Sequence, residues 1–303
     1  MTEGIPHQFL FARLLDWLVL RFTRGRHALR HQTILKVGLA IVFIFMLVTI
    51  LAQYSWFTPY DPVKYRDAPR LQGPSVHHWM GTDQLKRDVF SRVLAGGKAS
   101  IIVAFGAVAL SMTIGSLLGW ISGYFGGILD RALSLTMDAI YSFPSMILAI
   151  TLVAMFGAGI GPMIWAVGFV YIPTYFRVTR AEALQVRETT YVEAVRAIGA
   201  GNLRIIVRHV APNTVNAIMA VSSFNLADAI LTVAALSFLG FGLPPPAPDW
   251  GFDIQNGQKF LQSGSWWLIT FPGLMIIALS LGFGLIGEGI SDLVNPKRKR
   301  KRV

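Results

Sequence analysis

The sequence predicts an all-α integral membrane protein with six transmembrane helices and both termini on the inner side. Three observations carry this. The 303 residues are 53% hydrophobic and 14% charged, whereas soluble domains carry about 25% charged residues. The few charges are unevenly placed. None falls between Ala99 and Leu129 or between Phe260 and Gly287, only Asp138 lies between Ala132 and Phe176, and only Asp228 between Val210 and Pro248. Finally, Lys and Arg total 27 against 16 acidic residues, and their distribution is strongly one-sided.

Residues 1–33 form an inner tail in which Phe9 to Phe22 reads as an amphipathic helix, with Arg13 and Asp16 on its polar side, lying along the membrane surface. Crossing a bilayer takes about 20 apolar residues, and lipid offers an open backbone no hydrogen-bond partners. Spans are therefore expected near 34–56, 100–122, 133–156, 162–177, 215–239 and 266–287. The uncharged run around Met155 holds two of them, because GAGIGP at 157–162 is a turn cluster. Residues 57–99 form an outer loop, 100–290 the main membrane domain with an inner loop at about 178–213, and 291–303 a basic tail. With this topology nineteen Lys/Arg fall inside and eight outside, as the positive-inside rule requires. The basic balance thus reports topology. The tail KRKRKR at 297–302 is expected to meet anionic headgroups, and no nucleic acid is expected as a partner. There is no cysteine, and no cleavable leader is evident, so the first span reads as a retained anchor.

The outer loop changes character at HHWMGTDQLKRDVFSRVLAGGKAS. Thr82 or Asp83 can cap a helix start. Val89, Val93 and Leu94 then make an apolar stripe, while Arg87, Ser91 and Lys98 are expected to stay wet. This is an elbow helix lying on the outer surface. His77 and His78 read as solvated loop residues rather than a metal site. Trp56, Trp79, Trp250, Trp266 and Trp267 fall near the outer interface, where amphipathic rings anchor helices.

The inner loop is the most informative segment. Residues 191–212 read YVEAVRAIGAGNLRIIVRHVAP, polar and basic between hydrophobic runs. Val192 to Ile198 can form a short helix kept slim by Ala194 and Ala197 and broken at Gly199 and Gly201. A second stretch, Leu203 to Val210, is expected to end at Pro212, which cannot continue a helix interior. Helix–Gly–helix with a thin side suits the groove of a soluble partner. A plain re-entry loop is the alternative from the residues alone.

Glu193, Ala194, Gly199 and Pro212 match the EAA loop of permease subunits of binding-protein-dependent ABC importers, with a Gly six residues after the Glu and a Pro thirteen further on. Three other segments resemble the dipeptide/oligopeptide branch: the stretch before the second span, ALSFLGFGLPPPAPDWG (Ala235 to Gly251), and SWWLITFPG with LIGEGISDLVNPK (Ser265 to Lys297). The likeness runs from about residue 33 onward. Val195 departs from the second Ala of the triplet, His209 and Ala211 from apolar residues before the Pro, and Lys86 stands where the family often has Gly.

The resemblance implies a type I ABC importer (MetI-like) permease fold in the cytoplasmic (inner) membrane of a prokaryote. It implies a second homologous permease, two cytoplasmic ABC ATPases and an extracytoplasmic substrate-binding protein, with a peptide as cargo. ATP and Mg are expected on the ATPase subunits and no cofactor on this chain. Glu193 would contact the ATPase groove, Ala194 let the helix sit close, and Gly199 permit the turn, with Arg196 and Arg204 as flanking contacts. Nickel chelates, antimicrobial peptides and sugars are the cargo alternatives.

Other patterns are weaker. A P-loop needs G-x4-G-K-[ST], and Gly96-Gly97-Lys98 is followed by Ala99, with Arg92 where the first Gly belongs. The G-x-G-x-x-G at Gly282, Gly284 and Gly287 lies in an apolar helix and reads as chance or packing. Gly115, Gly119 and Gly123 give G-x-x-x-G steps that let helices approach. Asp138, Asp228 and Asn225 are candidates for lining the pathway or for holding helices together, and Pro144 is expected to kink the third span. An intramembrane aspartyl protease and a passive channel are the rival classes. The first would need two carboxyls sharing a proton.

Overall fold

A computed structural model describes residues 33–54, 57–64 and 68–294. The expected surface helix at 9–22, Trp56 and the basic tail lie outside these residues. The elements are helices: α1 (Thr33–Leu51), α2 (Val89–Phe125), α3 (Gly127–Tyr141), α4 (Ser145–Phe156), α5 (Ile160–Arg187), α6 (Thr190–Ala197), α7 (Asn202–Ile205), a π-helical turn (Ile206–Val210), α8 (Ala211–Phe238), α9 (Trp250–Gly257), a 3-10 turn (Gln258–Ser263) and α10 (Trp267–Val294).

Among the described residues α1, α2, α10 and the continuous stretch Asn202–Phe238 are long and apolar enough to cross a bilayer. The expected third span is broken. α3 and α4 meet at 88°, and the break falls at Ser142–Pro144. Pro144 has no N–H to give the helix, and it biases Phe143 away from helical geometry. α5 is 28 residues long, yet its apolar part carries Pro162, Tyr171, Pro173 and Tyr175, which lower its hydropathy. It runs ten residues past the expected end at 177. Ala181, Glu182, Ala183, Leu184 and Gln185 are good helix formers, so the helix outlasts its apolar stretch.

α2 and α5 form the most extensive helix pair. A Cβ on Gly115 would meet Ile172 O at 2.6 Å, and one on Gly119 would meet Phe176 O at 2.8 Å. The G-x-x-x-G steps therefore seat one backbone against the other. α8 packs on α10, and α10 packs on α1 through Gly38 and Gly282. That places part of the G-x-G-x-x-G run in a helix interface. The core between α2, α4, α5, α8 and α10 contains Val103, Ala107, Val153, Met163, Ile230 and Leu279, each at most 1% exposed.

The outer elbow differs from expectation. α2 starts at Val89 as the lower part of one long helix, capped by Asp88, whose carboxylate accepts from Ser91 N at 2.7 Å. Arg87 and Ser91 are buried, while Lys98 is exposed. The burial has a cause: each polar group finds a partner. Arg87 pairs with Asp83 at 2.6 Å, and Arg92 reaches Asp253 of α9 at 2.6 Å. His78 is buried too, against Asp88 at 2.9 Å. Burial pushes the Arg87 guanidinium below its ordinary value. Trp250 and Trp267 are buried rather than interfacial, donating to Val93 O at 2.7 Å and Thr82 O at 3.2 Å. Gly96 and Gly97 lie under the Trp250 indole, so the Gly-Gly-Lys fragment is a seat for a ring. Trp79 and Trp266 remain exposed.

Candidate functional site: the 178–213 loop and the membrane carboxyls

The loop is built on the protruding ends of α2 and α5. Arg187 donates to the carbonyls of Gly123 and Tyr124 at 3.3 and 3.2 Å, satisfying the end of α2 with a cation. A small apolar cluster of Tyr124, Ala183, Val192, Ile205, Ile206 and Val210 anchors α6, α7 and the π-turn to those ends. Val192 is the one buried residue of α6. Glu193, Ala194 and Arg196 are not buried, and the Arg196 guanidinium lies 5.5 Å from the Tyr124 ring centroid.

Gly199 ends α6 at φ +86°. Its N–H bonds to Arg196 O and the Ala200 N–H to Val195 O, at 3.0 and 3.3 Å. This is a Schellman-type cap, which requires a left-handed residue. A Cβ there would touch nothing within 4 Å, so the requirement is conformational and not one of space.

Pro212 does not end the second stretch. The chain stays helical from Asn202 into α8, with Pro212 in its first turn. The π-turn makes this possible. Ala211 N–H bonds to Ile206 O, and the widened turn relieves the clash that the proline ring would make with the carbonyl four residues back. Tyr191 and Asn213 clamp the turn. Asn213 Nδ2 donates to His209 O at 2.6 Å and to Tyr191 Oη at 2.9 Å, and Tyr191 donates to His209 O at 3.2 Å.

The outward surface carries residues that sequence reasoning missed. Ile198, Leu203 and Val207 are 84%, 76% and 58% exposed, an unusual display of apolar side chains beside charges. Gly199, Gly201, Leu203, Arg204, Val207 and Arg208 line an open groove of about 610 Å³. The signal was present as apolar residues inside a polar loop, but which of them turn outward follows only once Val192, Ile205, Ile206 and Val210 are taken up by the anchoring cluster.

The membrane candidates separate. Asp138 pairs with Arg177 at 2.7 Å, and that guanidinium stacks 4.0 Å from the Tyr141 ring centroid. Asp228 accepts from Tyr171 Oη at 2.6 Å. Each carboxyl is bonded to a different residue of α5, so the two form no shared-proton pair. The Asn225 amide nitrogen is buried beside the Tyr175 hydroxyl. Among the described residues no cluster of three or more His, Cys, Asp or Glu is placed to hold a metal.

Apolar helices of spanning length, interrupted by one loop with a capped helix and an open groove lined by Leu203, Val207, Arg204 and Arg208, define a multi-pass membrane protein. Comparison with known proteins gives the family. Residues 115–300 match the model for the binding-protein-dependent transport system inner membrane component, and the chain belongs to that family. It is 37% identical over 271 residues to the dipeptide transport system permease protein DppC of Alkalihalophilus pseudofirmus, covering 89% of this chain and 88% of that one. It is 36% identical over 275 residues to the glutathione transport system permease protein GsiD of Pectobacterium atrosepticum, covering 90% of each. It is 37% identical over 268 residues to the probable D,D-dipeptide transport system permease protein DdpC of Escherichia coli, covering 88% and 89%. An inward-facing chain of the MetNI methionine ABC transporter shares the fold, with a TM-score of 0.55 at 18% identity over 67% of this chain and 96% of that one. The chain is thus an inner-membrane transport component with the type I ABC importer permease fold, and its relatives are transport subunits rather than enzymes.

Proposed function

We propose that this chain is one permease subunit of an ATP-driven peptide importer. It forms half of the translocation pathway beside a second homologous permease. Two cytoplasmic ATPases, carrying ATP and Mg, dock on the paired loops, and an extracytoplasmic binding protein delivers peptide. The observation that carries the coupling role is the groove beside Gly199. Exposed Leu203 and Val207 flanked by Arg204 and Arg208 suit a soluble partner and not lipid. α6 offers Glu193, Ala194 and Arg196 to the same partner, and Pro212 lies in the helix that returns to the membrane. The clamp of Tyr191, Asn213 and His209 supports a rigid lever. ATP-driven closure would move it, and the helix bundle would rock between outward and inward states.

The names of the relatives support peptide cargo, since three of them are named for dipeptides or glutathione. Co-purification in detergent tests the assembly: a P-loop ATPase, a second permease and a binding protein are expected. Recovery of the chain without an ATPase would refute it. Glu193→Lys and Gly199→Pro are expected to uncouple hydrolysis from uptake while the chain stays in the membrane. A reporter near residue 195 that labels from outside would end the coupling assignment.

A further inference from the structure

Asp228 lies ten residues before the end of α8, roughly 15 Å along the axis at 1.5 Å per residue, which is mid-depth in a hydrocarbon core about 30 Å thick. It is the only charge between Val210 and Pro248, yet its side chain is exposed on the surface of this chain. A carboxylate at that depth faces a water-filled cavity or the bundle interior, not lipid. One oxygen, Oδ2, is fixed by the Tyr171 hydroxyl at 2.6 Å, and that hydroxyl sits 3.2 Å from Thr232 Oγ1. Tyr171, the carboxylate's one donor among the described residues, and Thr232 behind it are both neutral. No described residue bonds the second oxygen, so the chain orients the carboxylate and leaves its charge unmatched. Phe224 and Leu231, 47% and 46% exposed, flank it on the same face at helical spacing.

We propose that Asp228, held by Tyr171, is a cation site in the translocation pathway that takes the ammonium group of the passing cargo, with Phe224 and Leu231 beside the adjoining apolar side chain. The site rests on the permease reading above. A single carboxylate with one neutral donor attracts an ammonium group without trapping it, and transport needs entry and release alike. A Lys or Arg of the second permease offers the same chemistry from another source, and the experiment separates the two.

The chain has no cysteine, so Leu231→Cys supplies its one thiol. In the purified complex, ethylammonium methanethiosulfonate is expected to modify that thiol about tenfold faster than the ethylsulfonate reagent, the scale of one lost charge-assisted bond. Adding Asp228→Asn is expected to bring the ratio close to one. With ATP inside vesicles and binding protein outside, Asp228→Asn is expected to lower dialanine uptake per ATP hydrolysed about tenfold, Tyr171→Phe less, and Asp228→Glu to restore most of it.

Equal rates for the two reagents with Asp228 intact would overturn the site. So would unchanged uptake per ATP in Asp228→Asn. Loss of the second permease on purification of Asp228→Asn would assign the carboxylate to the partner's cation and overturn the cargo role. A retained cation preference with no dialanine uptake by the unsubstituted complex would overturn the peptide reading and leave the site standing.

Discussion

The Tyr124 hydroxyl donates to Asn202 Oδ1 at 2.9 Å, joining the inner end of α2 to the first residue of α7. Tyr124 is 5% exposed, and its ring packs among the residues that anchor α6. One side chain therefore links a membrane helix to both arms of the loop. Removing the hydroxyl in Tyr124→Phe is expected to cost about 1 kcal/mol. The same change is expected to lower uptake per ATP hydrolysed while the ATPases remain bound. Parallel assays of hydrolysis and uptake in vesicles check it, and an unchanged ratio argues against Tyr124 as the link.

Gly199 and Gly201 differ only two positions apart. Gly199 is left-handed, whereas Gly201 has φ −67° and ψ 150°. Gly199→Ala is expected to cost about 1–2 kcal/mol of loop stability, and Gly201→Ala almost nothing. Amide hydrogen exchange across residues 190–205 reads the difference. Equal exchange in both variants contradicts the cap.

Gly119 is a matter of space. A Cβ there lies 2.8 Å from Phe176 O and 3.0 Å from Arg180 N. Backbone cannot swing aside, so Gly119→Val is expected to exceed the ~1–3 kcal/mol usual for overpacking. The thermal midpoint in detergent should fall sharply, while Gly161→Ala, with nothing within 4 Å of its Cβ, should leave it in place.

Lys86 takes φ +65°, at a position where the resembled family often has Gly. The left-handed penalty of about 1–2 kcal/mol outweighs the ~0.5–1 kcal/mol of extra backbone entropy that glycine loses on folding. Lys86→Gly is therefore expected to stabilise the outer elbow slightly, by roughly 0.5 kcal/mol. A lowered thermal midpoint in this variant contradicts the reading.

Arg92 and Asp253 form a pair that joins α2 to α9, with side chains 2% and 16% exposed. Arg92 also donates to Pro62 O at 2.9 Å. Breaking such a pair leaves a buried charge uncompensated, at about 3–5 kcal/mol. Arg92→Ala is expected to reduce folded yield severely. Replacing both partners with Arg92→Met and Asp253→Leu is expected to recover part of it. Equal yields of the single and double variants would show that pairing is not the cause.

The sequence by itself determined the class, the helical content and the place of the polar loop between the membrane helices. Uncharged apolar runs of about twenty residues or more suit helices in lipid, and Glu193, Ala194, Gly199 and Pro212 stand at spacings that composition cannot hide. It also placed the close approach at Gly115, Gly119 and Gly123, because small residues four apart always share a face. The tertiary structure decided which polar groups are wet. Arg87, Ser91 and His78 look solvated in a loop until Asp83, Asp88 and the folded elbow supply partners. It decided that Pro212 stays inside a helix, because a π-turn needs no residue type that a sequence pattern reveals. It also decided that Asp138 and Asp228 differ, one paired with Arg177 and the other held by Tyr171 with its charge unmatched. Local patterns report what a segment can do alone, whereas burial and pairing belong to residues far apart in the chain.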